Sequence, residues 1–133
     1  MKKGYKGNIE SLTRQNKNFR HVLYTARHCQ LVLMSLLPEE EIGWEIHKDN
    51  DQFFRFEKGD GKVIINETEY VVQDGDCVIV PSGARHNVIN TSKTQALKFY
   101  TIYSPPHHQD GVVRATKKEA VVDSPEFDEE TTE

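Results

Sequence analysis

A chain of 133 residues, 36% hydrophobic and 29% charged, suits one domain built on one modest core. A formal net charge of −4, much of it in residues 123–133, and no Lys/Arg run interleaved with aromatics argue against a nucleic-acid partner. No apolar run approaches the roughly 20 residues of a membrane span, and the basic start leads into polar sequence, so no membrane partner and a cytoplasmic location are expected.

Residues 1–18 read as a polar arm with one short element near 9–14. Residues 19–115 read as an all-β body. The stretch 18–26 (NFRHVLYTA) is rich in β-formers. The run 29–36 (CQLVLMSL) is continuously apolar, too short for a helix, and stopped by Pro38. Strands follow at 42–47 and 52–57 (QFFRFE), separated by the polar turn 48–51. Asn66-Glu67-Thr68 predicts a hairpin turn between 62–65 and 69–72. After the turn at 74–76 come strands 77–80 and 85–90, separated by Pro81-Ser82-Gly83. The last long strand, 95–103 (QALKFYTIY), ends at Ser104-Pro105-Pro106. About nine short strands at such spacing indicate a sandwich or barrel. Residues 116–133 read as a short helix and an acidic disordered tail: Thr116 and Glu119 form a capping-box pattern for 117–122, and 124–133 is nearly free of apolar residues. Cys29 and Cys77 form no CxxC and no disulfide framework, and both are expected as small buried strand residues.

Chemistry concentrates in residues 45–90. Strand alternation points Glu45 and His47 to one side and Trp44, Ile46 and Lys48 to the other. A tight hairpin through 48–51 would set Gln52 beside His47, with Phe54 and Phe56 on the same inner face. His86 opens a later strand, after a reversal set by Pro81 and Gly83. These are lone-pair donors able to converge on a metal ion. The plainer alternative makes Glu45 and His47 surface residues and His86 a satisfied core histidine.

The pattern Gly75-x5-Pro81-x-Gly83-x2-His86-x3-Asn90 resembles the second motif of the cupin superfamily, with every marked position filled. The superfamily's first motif runs from a glycine through two histidines and a glutamate to a second glycine. Here those positions hold Glu39, Glu45, His47, Gln52 and Gly59. The resemblance implies a cupin-type double-stranded β-helix, a jelly-roll barrel, around one divalent transition metal (Fe, Mn, Ni or Zn). Position by position, the ligands would be Glu45, His47, Gln52 and His86. A carboxylate lost at 52 is regained at 45, so ligand charge is kept, with a weak amide oxygen in its place.

Leu97, Phe99, Thr101 and Tyr103 share one face of the last strand. In cupins acting on pectin-derived sugars, the equivalent strand presents an acid, an aromatic and a base to the pocket. The corresponding positions here are Thr101, Tyr103 and His107. By that resemblance Thr101 and Tyr103 would bind substrate, with Phe54 beside them from the inner face of its strand, and His107 and Tyr103 would serve catalysis. Residues 107–111 otherwise read as a solvated polar loop, with a lid carrying His107 as the functional alternative. Trp44 and Ile46 outside the body suit a homodimer contact, which small cupins commonly make. The expected function is a metal-dependent enzyme on a small polar substrate such as a sugar or sugar acid, isomerase- or tautomerase-like. An iron-dependent dioxygenase and a non-catalytic binding module are the alternatives.

Overall fold

A computed structural model describes all residues from Met1 to Glu133. The chain opens with helix α1 (Ile9–Gln15), followed by strands β1 (Arg20–Thr25), β2 (Gln30–Leu36), β3 (Glu45–Ile46), β4 (Asp51–Lys58) and β5 (Gly61–Ile65). Then come β6 (Thr68–Val72), β7 (Cys77–Val80), β8 (Arg85–Asn90), β9 (Leu97–Ser104), β10 (Val113–Arg114) and helix α2 (Lys117–Val122). No helix is long and apolar enough to cross a membrane.

The strands form two sheets of order β10-β1-β2-β9-β4-β7 and β3-β8-β5-β6. Every strand pairing is antiparallel. This is the expected jelly roll, but its hydrogen bonding does not close into a barrel. β7 and β10 remain edges of one sheet, β3 and β6 of the other, and the chain crosses between sheets through loops. Alternation fills the space between them. Val32, Met34 and Leu36 of β2, Phe54 and Phe56 of β4, and Leu97 and Phe99 of β9 meet Val63, Val72 and Val88 in one cluster. Three phenylalanines form its centre, with ring centroids 5.2 Å apart for Phe56 and Phe99 and 5.8 Å for Phe54 and Phe99.

The continuous apolar run of β2 has a cause on both faces. Leu33 is buried although it lies outside the core cluster, because α1 packs on β2, β4 and β9. Asn8 caps the start of α1 by accepting from the Ser11 amide at 3.0 Å, and Lys98 Nζ of β9 donates to the Asn16 carbonyl at its end, 2.7 Å away. The expected hairpin turn is present. Ile65 pairs with Thr68 across Asn66-Glu67, with Asn66 at φ +52°, a left-handed conformation that asparagine tolerates.

Four expectations are corrected. The hairpin joining His47 to Gln52 does not form, because β3 pairs with β8 while β4 pairs with β7 and β9. Residues 47–50 instead cross from one sheet to the other. The cysteines are exposed: Cys77 and Ile79 face outward on edge strand β7 while Val78 and Val80 face in, and Cys29 lies in the β1–β2 turn. The acidic tail is tied down. Phe127 N–H donates to the His107 carbonyl and Thr132 N–H to that of Thr25, both at 2.9 Å. Glu133 accepts from the Tyr24 hydroxyl at 2.6 Å. Polar partners hold this segment where apolar burial could not. The loop at 107–111 is not a freely solvated one, since His108 is 4% exposed.

Candidate metal centre

Edge strand β3 is only two residues long, and its register places Glu45 opposite His86 of β8. His47 follows one residue beyond the strand. The turn Pro81-Ser82-Gly83 is anchored to it: Gly83, at φ +87°, donates its N–H to the His47 carbonyl at 2.9 Å. Gln52 enters from the facing sheet, where β4 sets it opposite Tyr103 of β9. The site is therefore assembled across the two sheets at one end of the core.

The ligating atoms of Glu45, His47 and His86 all lie within 4.8 Å of one another. His47 Nε2 is 3.6 Å from Glu45 Oε2, and the two imidazole centroids are 5.3 Å apart. His86 Nδ1 lies 3.2 Å from the Ala84 carbonyl, which can only accept, so that nitrogen carries the proton and Nε2 keeps its lone pair. His47 Nε2, His86 Nε2 and Gln52 Oε1 are all buried without a hydrogen-bond partner. Orphaned buried polar atoms are rare in folded proteins. Two of these three, on His47 and His86, stand beside the Glu45 carboxylate and fit a cation that would satisfy them together. Gln52 Nε2 donates to Thr101 Oγ1 at 3.0 Å, which leaves Oε1 free.

The electrostatics suit the same purpose. Burial, then the charges of His107, His86 and Arg20, push His47 down to about 3. Burial also lowers His86. Both rings are neutral near pH 7, the form that ligates metal. Burial raises the Glu45 carboxyl above the usual range, partly offset by Arg20; a divalent ion would reverse that shift.

Tyr103, 2% exposed, forms the adjoining wall. Burial and the Glu45 charge raise its hydroxyl well above the ordinary phenol value, so it stays protonated. Its oxygen lies 3.3 Å from His108 Nε2. The His107 ring sits 4.4 Å from that of His47 and stacks on Tyr103 at 5.3 Å. It also borders a cleft of about 270 Å³ with Asn50, Pro105 and Glu126. His107 thus stands between an outer opening and the His47 ring. Its loop is clamped, not hinged. Gln30 Oε1 accepts from the His107 and His108 amides at 3.2 and 2.9 Å, and Gln30 Nε2 donates to the His108 carbonyl at 2.7 Å. Thr101 is fully buried and spent on Gln52. Phe54, also fully buried, makes the floor, its ring 6.3 Å from His86.

Sequence reasoning passed over Gln30, His108 and Arg20. The clamp between Gln30 and the 107–108 loop carries no local signal, since its partners lie 77 and 78 residues apart. Arg20 does carry one: it stands in phase with Val22 on the inward face of β1.

The family profile described as "Cupin domain" matches residues 32–103, more than half of the chain. This chain belongs to the cupin family. Relatives of this cupin include Uncharacterized protein L612 of Acanthamoeba polyphaga mimivirus, 45% identical over 112 residues, covering 82% of this chain and 70% of the relative. Uncharacterized protein YrkC of Bacillus subtilis is 46% identical over 120 residues, covering 86% of this chain. The match spans 64% of YrkC, so that relative is substantially longer than the region shared. The crystal structure of BH2720 from Bacillus halodurans superposes with a TM-score of 0.89 at 39% identity, covering 91% of this chain and 96% of that one.

Proposed function

We propose that this cupin is a metal-dependent enzyme that acts on a small polar substrate, a sugar or sugar acid, by isomerisation or tautomerisation. The observation that carries the reading is the pair of unpartnered buried atoms, His47 Nε2 and His86 Nε2, on rings whose ligating nitrogens lie within 4.8 Å of each other and of the Glu45 carboxylate. Glu45, His47, His86 and Gln52 would hold one divalent transition metal. When bound, the ion supplies a Lewis acid for a substrate carbonyl or hydroxyl oxygen. The neutral His107 ring, lowered by burial, offers a nitrogen to accept a proton from a carbon next to that oxygen and return it to the neighbouring position. Tyr103, kept protonated, donates a hydrogen bond to a substrate oxygen. Phe54 and the Phe54–Phe99 layer beneath exclude water from the floor.

Elemental analysis tests this directly. Wild type is expected to carry about one divalent transition metal per chain, and His86→Ala to lose it. A wild type purified under reducing conditions with no stoichiometric metal sinks the reading. The group of two histidines and one carboxylate also favours a second reading, an iron-dependent dioxygenase. Oxygen uptake by the iron form, with no activity in the zinc or nickel forms, selects that one.

A further inference from the structure

One buried charge plays no part in holding the metal. Arg20 opens β1 on the inner face and is 6% exposed. Its guanidinium makes one hydrogen bond, Nη1 to Ser124 Oγ at 3.3 Å, and its Nε is buried without a partner. No carboxylate pairs with it. Its carbon centre lies 5.3 Å from the Phe19 ring, which helps fix its orientation. The charge nevertheless acts on Glu45, His47, Tyr103, His107 and His108 alike. Arg20 and Glu45 share the wall of a cleft of about 210 Å³, closed on its other side by Lys117, Ala120 and Val121 of α2.

A buried guanidinium without a counter-charge is costly, and interior charges are ordinarily paired. Glu45 is the only carboxylate on that cleft wall, and in the metal reading its charge belongs to the ion. With His47, His86 and Gln52 neutral, a divalent ion and Arg20 together leave the site positive. Resting on that reading, we infer that Arg20 anchors the carboxylate of the substrate, so that the site takes small carboxylic acids in preference to their neutral counterparts. The planar fork of arginine suits a carboxylate, and its free Nε lies on the edge that such a pair uses.

Paired ligands that differ only in the acid test this: glucuronate against glucose, and lactate against lactamide, titrated calorimetrically into zinc-loaded protein. Wild type is expected to favour the acid of at least one pair about tenfold or more. Arg20→Gln is expected to weaken that acid roughly 10- to 100-fold and leave the neutral partner unchanged. Arg20→Lys keeps the charge and is expected to retain part of the preference. Elemental analysis of all three proteins is expected to show equal zinc. A wild type that takes up no zinc refutes the metal reading instead, and the same titrations on that protein still decide the role of Arg20. Absence of acid preference in both pairs overturns the proposal. So does a purely structural outcome, in which both variants melt lower but keep the preference of wild type.

Discussion

Gln52 occupies the position where the cupin motif carries a carboxylate, and its neighbours show how the exchange is accommodated. Its amide nitrogen is spent on Thr101 and its oxygen is buried without a partner. The missing charge stands instead at Glu45, across the strand pair from His86. A carboxylate at 52 would reverse that bond and accept from the Thr101 hydroxyl. Gln52→Glu is therefore expected to bind a divalent metal at least as tightly as wild type, as read by competition with a chelating dye. Without metal the variant buries an additional carboxylate at a position only 2% exposed, so it should unfold at lower denaturant than wild type. Loss of all metal would mean that position 52 does not face the ion.

Among the elements, the connection from β2 to β3 carries the clearest backbone strain. Glu39 sits at φ +64°, and it occupies the place of the leading glycine in the first motif. Its N–H donates to the Ser92 carbonyl at 3.0 Å while its side chain is exposed. The backbone is thus held left-handed with no compensating side-chain contact. Glycine adopts this conformation without the Cβ penalty. Glu39→Gly is expected to stabilise the fold by about 1 kcal/mol, the lower end of the left-handed penalty, partly offset by unfolded-state entropy. A urea midpoint that fails to rise would show that the turn carries no such strain. At the other end, α2 uses the cap read from its sequence: Thr116 Oγ1 accepts from the Glu119 amide at 3.2 Å. The Glu119 carboxylate reaches back one residue further than a capping box requires, to the Ala115 amide at 2.8 Å.

At the scale of the whole molecule, three buried histidines, His47, His86 and His108, cluster with the half-buried His107, and this couples folding to pH. His47 and His108 are pushed down to about 3 and about 2, and His86 and His107 are lowered too, burial being the first cause in each. Unfolded histidines take up protons near pH 6.5. Below that pH the unfolded chain binds more protons than the folded one, so stability falls. Glu45 acts in the opposite sense, because its raised carboxyl gains a proton more readily when folded. One carboxyl against four imidazoles leaves the histidines dominant. The metal-free protein is expected to hold a constant urea midpoint from pH 8 to about 7, then to lose stability steadily from about pH 6.5 toward 4. A midpoint that is flat to pH 5 would mean the imidazoles are not buried as the fold places them.

Much of this was legible in the chain itself. Alternation in residues 97–103 determined which side of β9 faces the core. The turn chemistry of Asn66 and of Pro81-Ser82-Gly83 marked the chain reversals. Strand period set Glu45 and His47 on one side, and the resemblance to the cupin motifs joined His86 to them; the ligating atoms of these three lie together in the fold. Tertiary structure alone decided how that site is assembled. Gln52 comes from the sheet opposite Glu45 and His86, since β3 and β4 do not pair. Edge position exposed Cys77, and backbone partners on β1 and the 107–108 loop ordered an acidic tail that composition marks as free. Gln30 fixed a loop 77 residues away. In each case the deciding contact joins residues far apart in the chain, and no local pattern encodes which distant partner will satisfy a buried polar group.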